Sequence, residues 1–454
     1  MTLLRGVVLG GAGLGGAGLD GAGLDGAGRG GPGLEGARAD VRIEQGRVTE
    51  IGVLTRSPGE ETADGGTLLP GLVDEHLHLH ALAAAASSVD CGQPGLAVAL
   101  RTAAADSSGW VRGTGYPRDD LDAAALDRLH SGRPVRVQHR SGALWTVNSR
   151  GAAALGLAGA RHPGIERDAS GTPTGRLWRA DGWLRTRLPA AVPDLGPVGK
   201  RLAAYGVTAV TDATPDLDPA TYGSFAALPQ RVTLLGVPLG QQAPPPLATG
   251  PYKIVLADSG LPPFPDLIDQ IRAARAADRA VAVHCVTREA LLLLLAALNE
   301  AGPPHPGDRI EHAAMIPADT IGELARRGLT IVTQPGFLAD RGDDYLCDVP
   351  EPEDLYRVGT LMSAGVGVRL SSDAPYGPLD PWRVIEAAVQ RRTPRGQIAV
   401  SGERITHGQA LQAYLGPPVR PGVPADLVLL DEKGTVKSVY IGGERVAGAP
   451  SSRP

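Results

Sequence analysis

The chain has 454 residues, 62 of them glycine and 39 proline, and a formal net charge of -5. Without a basic stripe or interleaved aromatic and basic residues, this mild acidity argues against a nucleic-acid partner, and no stretch approaches the roughly 18 consecutive apolar residues of a membrane span. Cys91, Cys285 and Cys347 are too few and too scattered for a disulfide framework, and polyglycine follows the short apolar start where a signal-peptide cleavage region would lie, so the cytoplasm is the expected location.

Residues 3–9 read as a strand. From 11 to 37 a five-residue repeat of the type Gly-Ala-Gly-Leu-Gly/Asp follows, too poor in apolar surface to offset its ordering entropy, and expected as a flexible insert. Residues 39–43 and 47–52 resume the strand pattern, and 425–430 with 436–443 repeat it near the other end. Both ends are therefore expected to build one small β-sandwich domain, residues 1–69 with 404–454.

Strand candidates then follow at 71–78, 206–212, 231–238, 252–257, 281–284, 309–312, 329–334 and 367–373. Helix-like stretches lie between most of them, at 265–277, 288–301, 317–327, 353–364 and 381–391. Such alternation means parallel βα units, so the fold class is α/β, with a (β/α)8 TIM-like barrel over residues 70–403. The long stretch 80–200 after the first barrel strand breaks the rhythm, leaves from the end that carries the polar residues, and is expected to form a lid. The segment 336–348, after the seventh strand, reads as a loop.

The chemistry sits at strand ends. In Pro70-Gly71-Leu72-Val73-Asp74-Glu75-His76-Leu77-His78 two imidazoles two residues apart point to the same face of a strand. His284, His312 and Asp373 each close a later apolar run. Lys253 lies inside the apolar strand Tyr252-Lys253-Ile254-Val255-Leu256 and is one of only four lysines in an arginine-rich chain. Burial favours its neutral amine, which can take up carbon dioxide as a carbamate, whereas arginine cannot; pairing with a carboxylate such as Asp258 is the other reading. Cys285 follows His284 directly, so it should face the opposite side as a small buried residue.

The order His-x-His, Lys, His, His, Asp, with Pro-Gly-x-x-Asp before the first pair and Ser372-Asp373-Ala374-Pro375 around the last ligand, resembles the amidohydrolase superfamily. Gln334-Pro335 and the later Asp380-Pro381 are similar to its amidohydrolase 3 branch, which includes YtcJ-like and N-substituted formamide deformylase-like enzymes, and the similarity runs from about residue 41 to 447. The resemblance implies a metal-dependent hydrolase with His76, His78, Lys253, His284, His312 and Asp373 as ligands, a carboxylated Lys253 bridging two ions, and Zn²⁺ or a similar divalent metal at one or two per chain. Imidazole and carboxylate donors without a thiolate cluster suit such an ion.

The expected reaction is hydrolysis of a C–N bond, an amide or cyclic amide, by metal-activated water. Asp373 is the expected general base, with His312 or His284 steadying the developing oxyanion. A heterocycle deaminase with a single metal, or a non-hydrolytic isomerase, cyclase or binding scaffold on the same fold, stays open. Substrate contacts are expected from His139, Trp145 and Trp178 in the lid and from Arg341 in the 336–348 loop; the lid tryptophans read equally as that segment's own core. Two departures from the branch pattern, Gly142-Ala143 where Gly-His is usual and Cys285-Val286-Thr287-Arg288 after His284, affect substrate transfer and leave the metal ligands alone. The partner is a small-molecule substrate, and a homodimer is a common outcome for folds of this size.

Overall fold

The computed structural model describes residues 1–10, 38–106, 108–188, 193–257 and 260–448. The glycine-rich repeat and Asp258 lie outside them. Contacts divide the chain into two compact units, Met1–Leu79 with Leu195–Pro454, and His80–Asp194.

In the first unit the two chain ends share one eight-stranded sheet. Thr67–Pro70 lies between Leu427–Leu430 on one side and Thr2–Leu9 on the other, so an early strand joins the terminal ones. Alternation drives this pairing: Leu4, Val41, Ile43, Leu68, Leu427 and Leu429 all turn into one buried cluster.

That sheet feeds directly into a parallel layer. Leu72–Leu77, Val207–Asp212, Arg231–Leu234 and Ala248–Thr249 pair in one four-stranded parallel sheet, and Tyr252–Val255, Val281–Cys285, Arg309–His312, Thr330–Thr333 and Gly367–Leu370 form a five-stranded one. Backbone bonds link the two on both flanks: Lys253 N donates to Leu235 O at 3.3 Å, and Asp373 N donates to His76 O at 2.8 Å. All eight strand candidates fall on strands of these two sheets.

Helices cover the outer face. Arg288–Ala301 starts on a Thr287 side chain that accepts from Ala290 N, and it buries Leu291, Leu294, Leu295 and Leu298 at helical spacing. These pack on Ile254, Val281, Val283 and Cys285 in one cluster, so Cys285 is a core residue of the side opposite His284. Pro381–Gln390 begins with Asp380 as its cap and proline at its first turn.

One expectation is corrected. Residues expected as a loop form the helix Gly336–Asp348, with Gly336, Phe337, Leu338 and Gly342 buried. Its two glycines and four aspartates suggested irregular chain, yet these glycines permit close packing. A Cβ on Gly336 would lie 2.8 Å from Pro378 Cγ, and one on Gly342 would lie 2.7 Å from Thr393 Cγ2.

The His80–Asp194 unit carries its own six-stranded sheet, in the order Ile165–Arg167, Pro173–Trp178, Leu144–Val147, Val135–His139, Val111–Tyr116 and Val89–Asp90. Trp110, Trp145, Val147 and Leu177 pack together on it.

Gly71 is where the terminal sheet passes into the His-x-His strand. A Cβ there would stand 1.9 Å from Thr208 Oγ1 on the neighbouring strand. Gly71→Ala is expected to cost about 1–3 kcal/mol of stability in chemical denaturation, and adding Thr208→Ala should restore part of it. Equal midpoints for wild type and Gly71→Ala would show that the strands separate freely.

Candidate metal centre

The strands converge on a cluster of imidazoles and carboxylates. His76, His78 and Asp373 bring one ligand atom each to within 4.8 Å of one another. Asp373 Oδ1 lies 3.5 Å from His76 Nε2 and 3.4 Å from His78 Nε2. The His312 ring centroid is 4.6 Å from that of His76 and 4.4 Å from that of His284. His76 is fully buried, and Lys253, His312 and Asp373 are nearly so.

Two of these residues reach the cluster through unusual backbone. In Arg309–His312, Ile310 packs into the outer core, and simple alternation would place His312 with it. His312 has φ 70 and Ala313 φ 45, which breaks the alternation, and the ring meets His284 and His76 instead. Asp373 also lies in the left-handed region, at φ 50. Non-glycine residues held there cost on the order of 1–3 kcal/mol each and concentrate at working sites.

Three of the four histidines have an outer partner. His76 Nδ1 meets Glu311 Oε2, His78 Nδ1 lies 3.2 Å from Thr214 Oγ1, and His312 Nδ1 lies 2.9 Å from Gln334 Oε1. Gln334 Nε2 donates to Ser371 Oγ at 2.9 Å, which fixes its amide oxygen towards His312. His312 therefore carries its proton on Nδ1 and offers Nε2 as a lone pair. Asp74 accepts from His76 N and Ser372 N at 3.2 Å each and ties the two ligand-bearing segments together; burial pushes its carboxyl up to about 7.

Burial is the first cause of every shift among the nitrogens. It holds His76 and His312 well below the usual histidine value and pushes His284 down to about 4, with Lys253 adding to the effect in all three. Lys253 itself is lowered by burial, partly opposed by Glu311 and Asp373. Neutral imidazoles are the forms that can bind a metal, and burial moves the lysine in the direction of its neutral amine.

Among the described residues, His76 Nε2, Lys253 Nζ and Asp373 Oδ1 are buried without any hydrogen-bond partner. Polar atoms in a dry interior are almost always paired. The two orphaned atoms of His76 and Asp373 lie in one group with His78, and nitrogen and oxygen donors without a thiolate fit a divalent ion held by His76, His78 and Asp373.

A family model described as the amidohydrolase family, amidohydrolase 3, matches residues 61–438. The chain belongs to the amidohydrolase family. It is a hydrolase of carbon–nitrogen bonds other than peptide bonds. This amidohydrolase is 25% identical over 485 residues to the N-substituted formamide deformylase of Arthrobacter pascens, across 86% of this chain and 89% of that one. It is 26% identical over 464 residues to YtcJ of Bacillus subtilis (strain 168), a protein named as an amidohydrolase, across 84% and 85% of the two chains. Among solved structures, an uncharacterized metal-dependent hydrolase from Pyrococcus horikoshii OT3 is similar in fold, with a TM-score of 0.73 at 20% identity, over 86% of this chain and 93% of that one. No helix among the described residues is long and apolar enough to cross a membrane.

The residues expected to touch substrate fall differently. Trp145 is buried in its own unit, where its Nε1 donates to Asp181 Oδ1 at 2.8 Å and Arg112 and Arg136 lie against its ring, so it serves packing. His139 Nδ1 bonds Ser141 Oγ at 2.8 Å, and Trp178 is 39% exposed with its Nε1 on Glu166. Arg341, on the Gly336–Asp348 helix, stacks over Phe337 and donates to Tyr376 O at 3.3 Å. The Tyr376 ring stands edge-on to His78 at 5.7 Å between centroids, so Tyr376 links the Arg341 side chain to the cluster.

Glu311, Thr214 and Arg309 were not read as site residues in the sequence. A signal for the first existed, since a glutamate inside an otherwise buried strand is rarely buried without a partner.

Lys253→Met should raise the stability of the metal-free protein by about 1 kcal/mol or more, because it removes an unpartnered buried amine. Denaturation midpoints measured after chelator treatment check this; a fall in stability would mean the amine is partnered in the metal-free state.

Proposed function

We propose that this amidohydrolase cleaves the C–N bond of an amide or cyclic amide in a small molecule, with Asp373 carrying the proton. The observation behind this reading is the grouped triad of His76, His78 and Asp373, in which His76 Nε2 and Asp373 Oδ1 are buried without a partner among the described residues, as is Lys253 Nζ on a strand of the parallel layer. The N-substituted formamide deformylase among its relatives acts, by name, on such a bond. The reading takes the two parallel sheets as one closed (β/α)8 barrel, which their hydrogen bonds on both flanks support.

A bound Zn²⁺ would lower the pKa of a water from about 15.7 to about 7 and polarise the substrate carbonyl. Asp373 has a free oxygen facing the histidines and takes the proton from the attacking water, then delivers it to the leaving nitrogen. His312 spends its N–H on Gln334, so its remaining nitrogen suits a ligand role; His284 is left as the better neighbour for the developing oxyanion if a single ion is held.

A second ion requires an anion between the two. In this reading the neutral amine of Lys253 attacks the carbon of carbon dioxide and loses a proton, giving a carbamate that, with His284 and His312, would hold the second ion. Burial of the amine, with its lowered pKa, supports that reaction. The compact triad of His76, His78 and Asp373 equally favours a mononuclear heterocycle deaminase as the second reading. Ammonia as the first nitrogen product from a heterocycle would select it.

Asp373→Asn should lower kcat by about 10²-fold or more while the chain stays folded. Near wild-type turnover in a variant that still binds metal would remove the proton-carrying role. If Arg341 selects an anionic substituent, Arg341→Ala should raise KM for acidic amides and leave neutral analogues unchanged; equal effects on both would remove that role.

A further inference from the structure

We propose that Glu311 is a positioning residue of the metal centre: it locks His76 in the Nδ1–H tautomer and strengthens its Nε2 as a ligand. The inference rests on reading the cluster as a metal-hydrolase site.

The Glu311 carboxylate is fully buried and uses its two oxygens in different directions. One meets His76 Nδ1, and the other accepts from Arg309 Nε at 2.5 Å. With the Arg309 guanidinium donating to its other oxygen, the Glu311 carboxylate acts as an acceptor towards the ring, so His76 carries its proton on Nδ1. Its Nε2 is then a lone pair, without a hydrogen-bond partner among the described residues and 3.5 Å from Asp373 Oδ1.

The three histidines closest to Asp373 are not backed alike. His78 has a hydroxyl behind it and His312 an amide oxygen, at 3.2 and 2.9 Å; His76 has an anion. An anionic acceptor draws the imidazole N–H harder and leaves the opposite nitrogen more basic. His76 should therefore be the strongest donor of the set.

The carboxylate is itself held from behind. Arg309 donates from Nη1 to Glu75 Oε2 at 3.1 Å and from Nη2 to Glu75 O at 2.8 Å. Arg369 lies 3.6 Å from the other Glu75 oxygen. Alternating charges thus run from Arg369 through Glu75 and Arg309 to Glu311, and two guanidinium groups offset two carboxylates. A buried ion pair of this kind offers little net stability against apolar packing, so its presence calls for another use. Holding one ring nitrogen in a fixed direction is such a use.

The test compares the wild-type chain with Glu311→Gln, which removes the charge at similar size, and Glu311→Asp, which keeps the charge but shortens its reach. Each is stripped of metal, checked for folding by circular dichroism, and titrated with Zn²⁺ against a chromogenic chelator; histidine ¹⁵N NMR of the metal-free proteins reports the His76 tautomer. The proposal expects Glu311→Gln to weaken Zn²⁺ binding by about 10- to 100-fold and to mix the tautomers, with Glu311→Asp in between. It is overturned if Glu311→Gln binds Zn²⁺ within about twofold of wild type with His76 still protonated on Nδ1. A merely structural role would shift the melting temperature and leave the tautomer unchanged, which also overturns it. Failure of the wild type to bind Zn²⁺ would instead remove the metal reading from which the proposal starts.

Discussion

A polar atom taken out of water needs a partner, and leaving one unpaired costs about 1–3 kcal/mol. Here an imidazole nitrogen, a lysine amine and a carboxylate oxygen are all buried without a partner among the described residues, and the first and last of them lie in one group with His78. That unsatisfied group is the constraint around which the first unit is organised. The strands fix where each side chain starts, left-handed residues His312 and Asp373 redirect two of them, and Gln334, Thr214 and Glu311 orient the rings from outside. An ion held by His76, His78 and Asp373 would relieve that cost.

Stability and function pull against each other in this arrangement. The helices that cover the strands supply ordinary apolar packing, with Leu291, Leu294, Leu295 and Leu298 pressed on Val281 and Val283. The inner side gives up such packing for arginines, glutamates and histidines. Arg309 compensates Glu311 and is itself held by Glu75, and Asp74 cross-ties the segments that carry His76 and Asp373, so the polar interior is a connected network.

Most of the parallel layer was legible because buried parallel strands are continuous apolar runs, and the ligands stood out as single polar residues ending them. The chain ends were legible for the opposite reason: their alternation revealed a sheet with one buried face. What the sequence hid is tertiary. Nothing in Arg309-Ile310-Glu311-His312 announces that the backbone turns over at His312, or that Glu311 crosses to a histidine at position 76. The helix Gly336–Asp348 was hidden by its glycines, which are there for contact with Pro378 and Thr393. Trp145 looked like a ligand platform because aromatic residues serve cores and pockets equally; only its burial and its bond to Asp181 decide.

The most direct measurement is the metal-to-chain ratio of the purified protein by elemental analysis, with and without bicarbonate in the buffer. A site bridged through Lys253 requires two ions per chain, falling when bicarbonate is withheld. One ion indifferent to bicarbonate would leave the triad of His76, His78 and Asp373 alone and return Lys253 to a structural part, while a chain that takes up no divalent metal under either condition would contradict the metal centre itself.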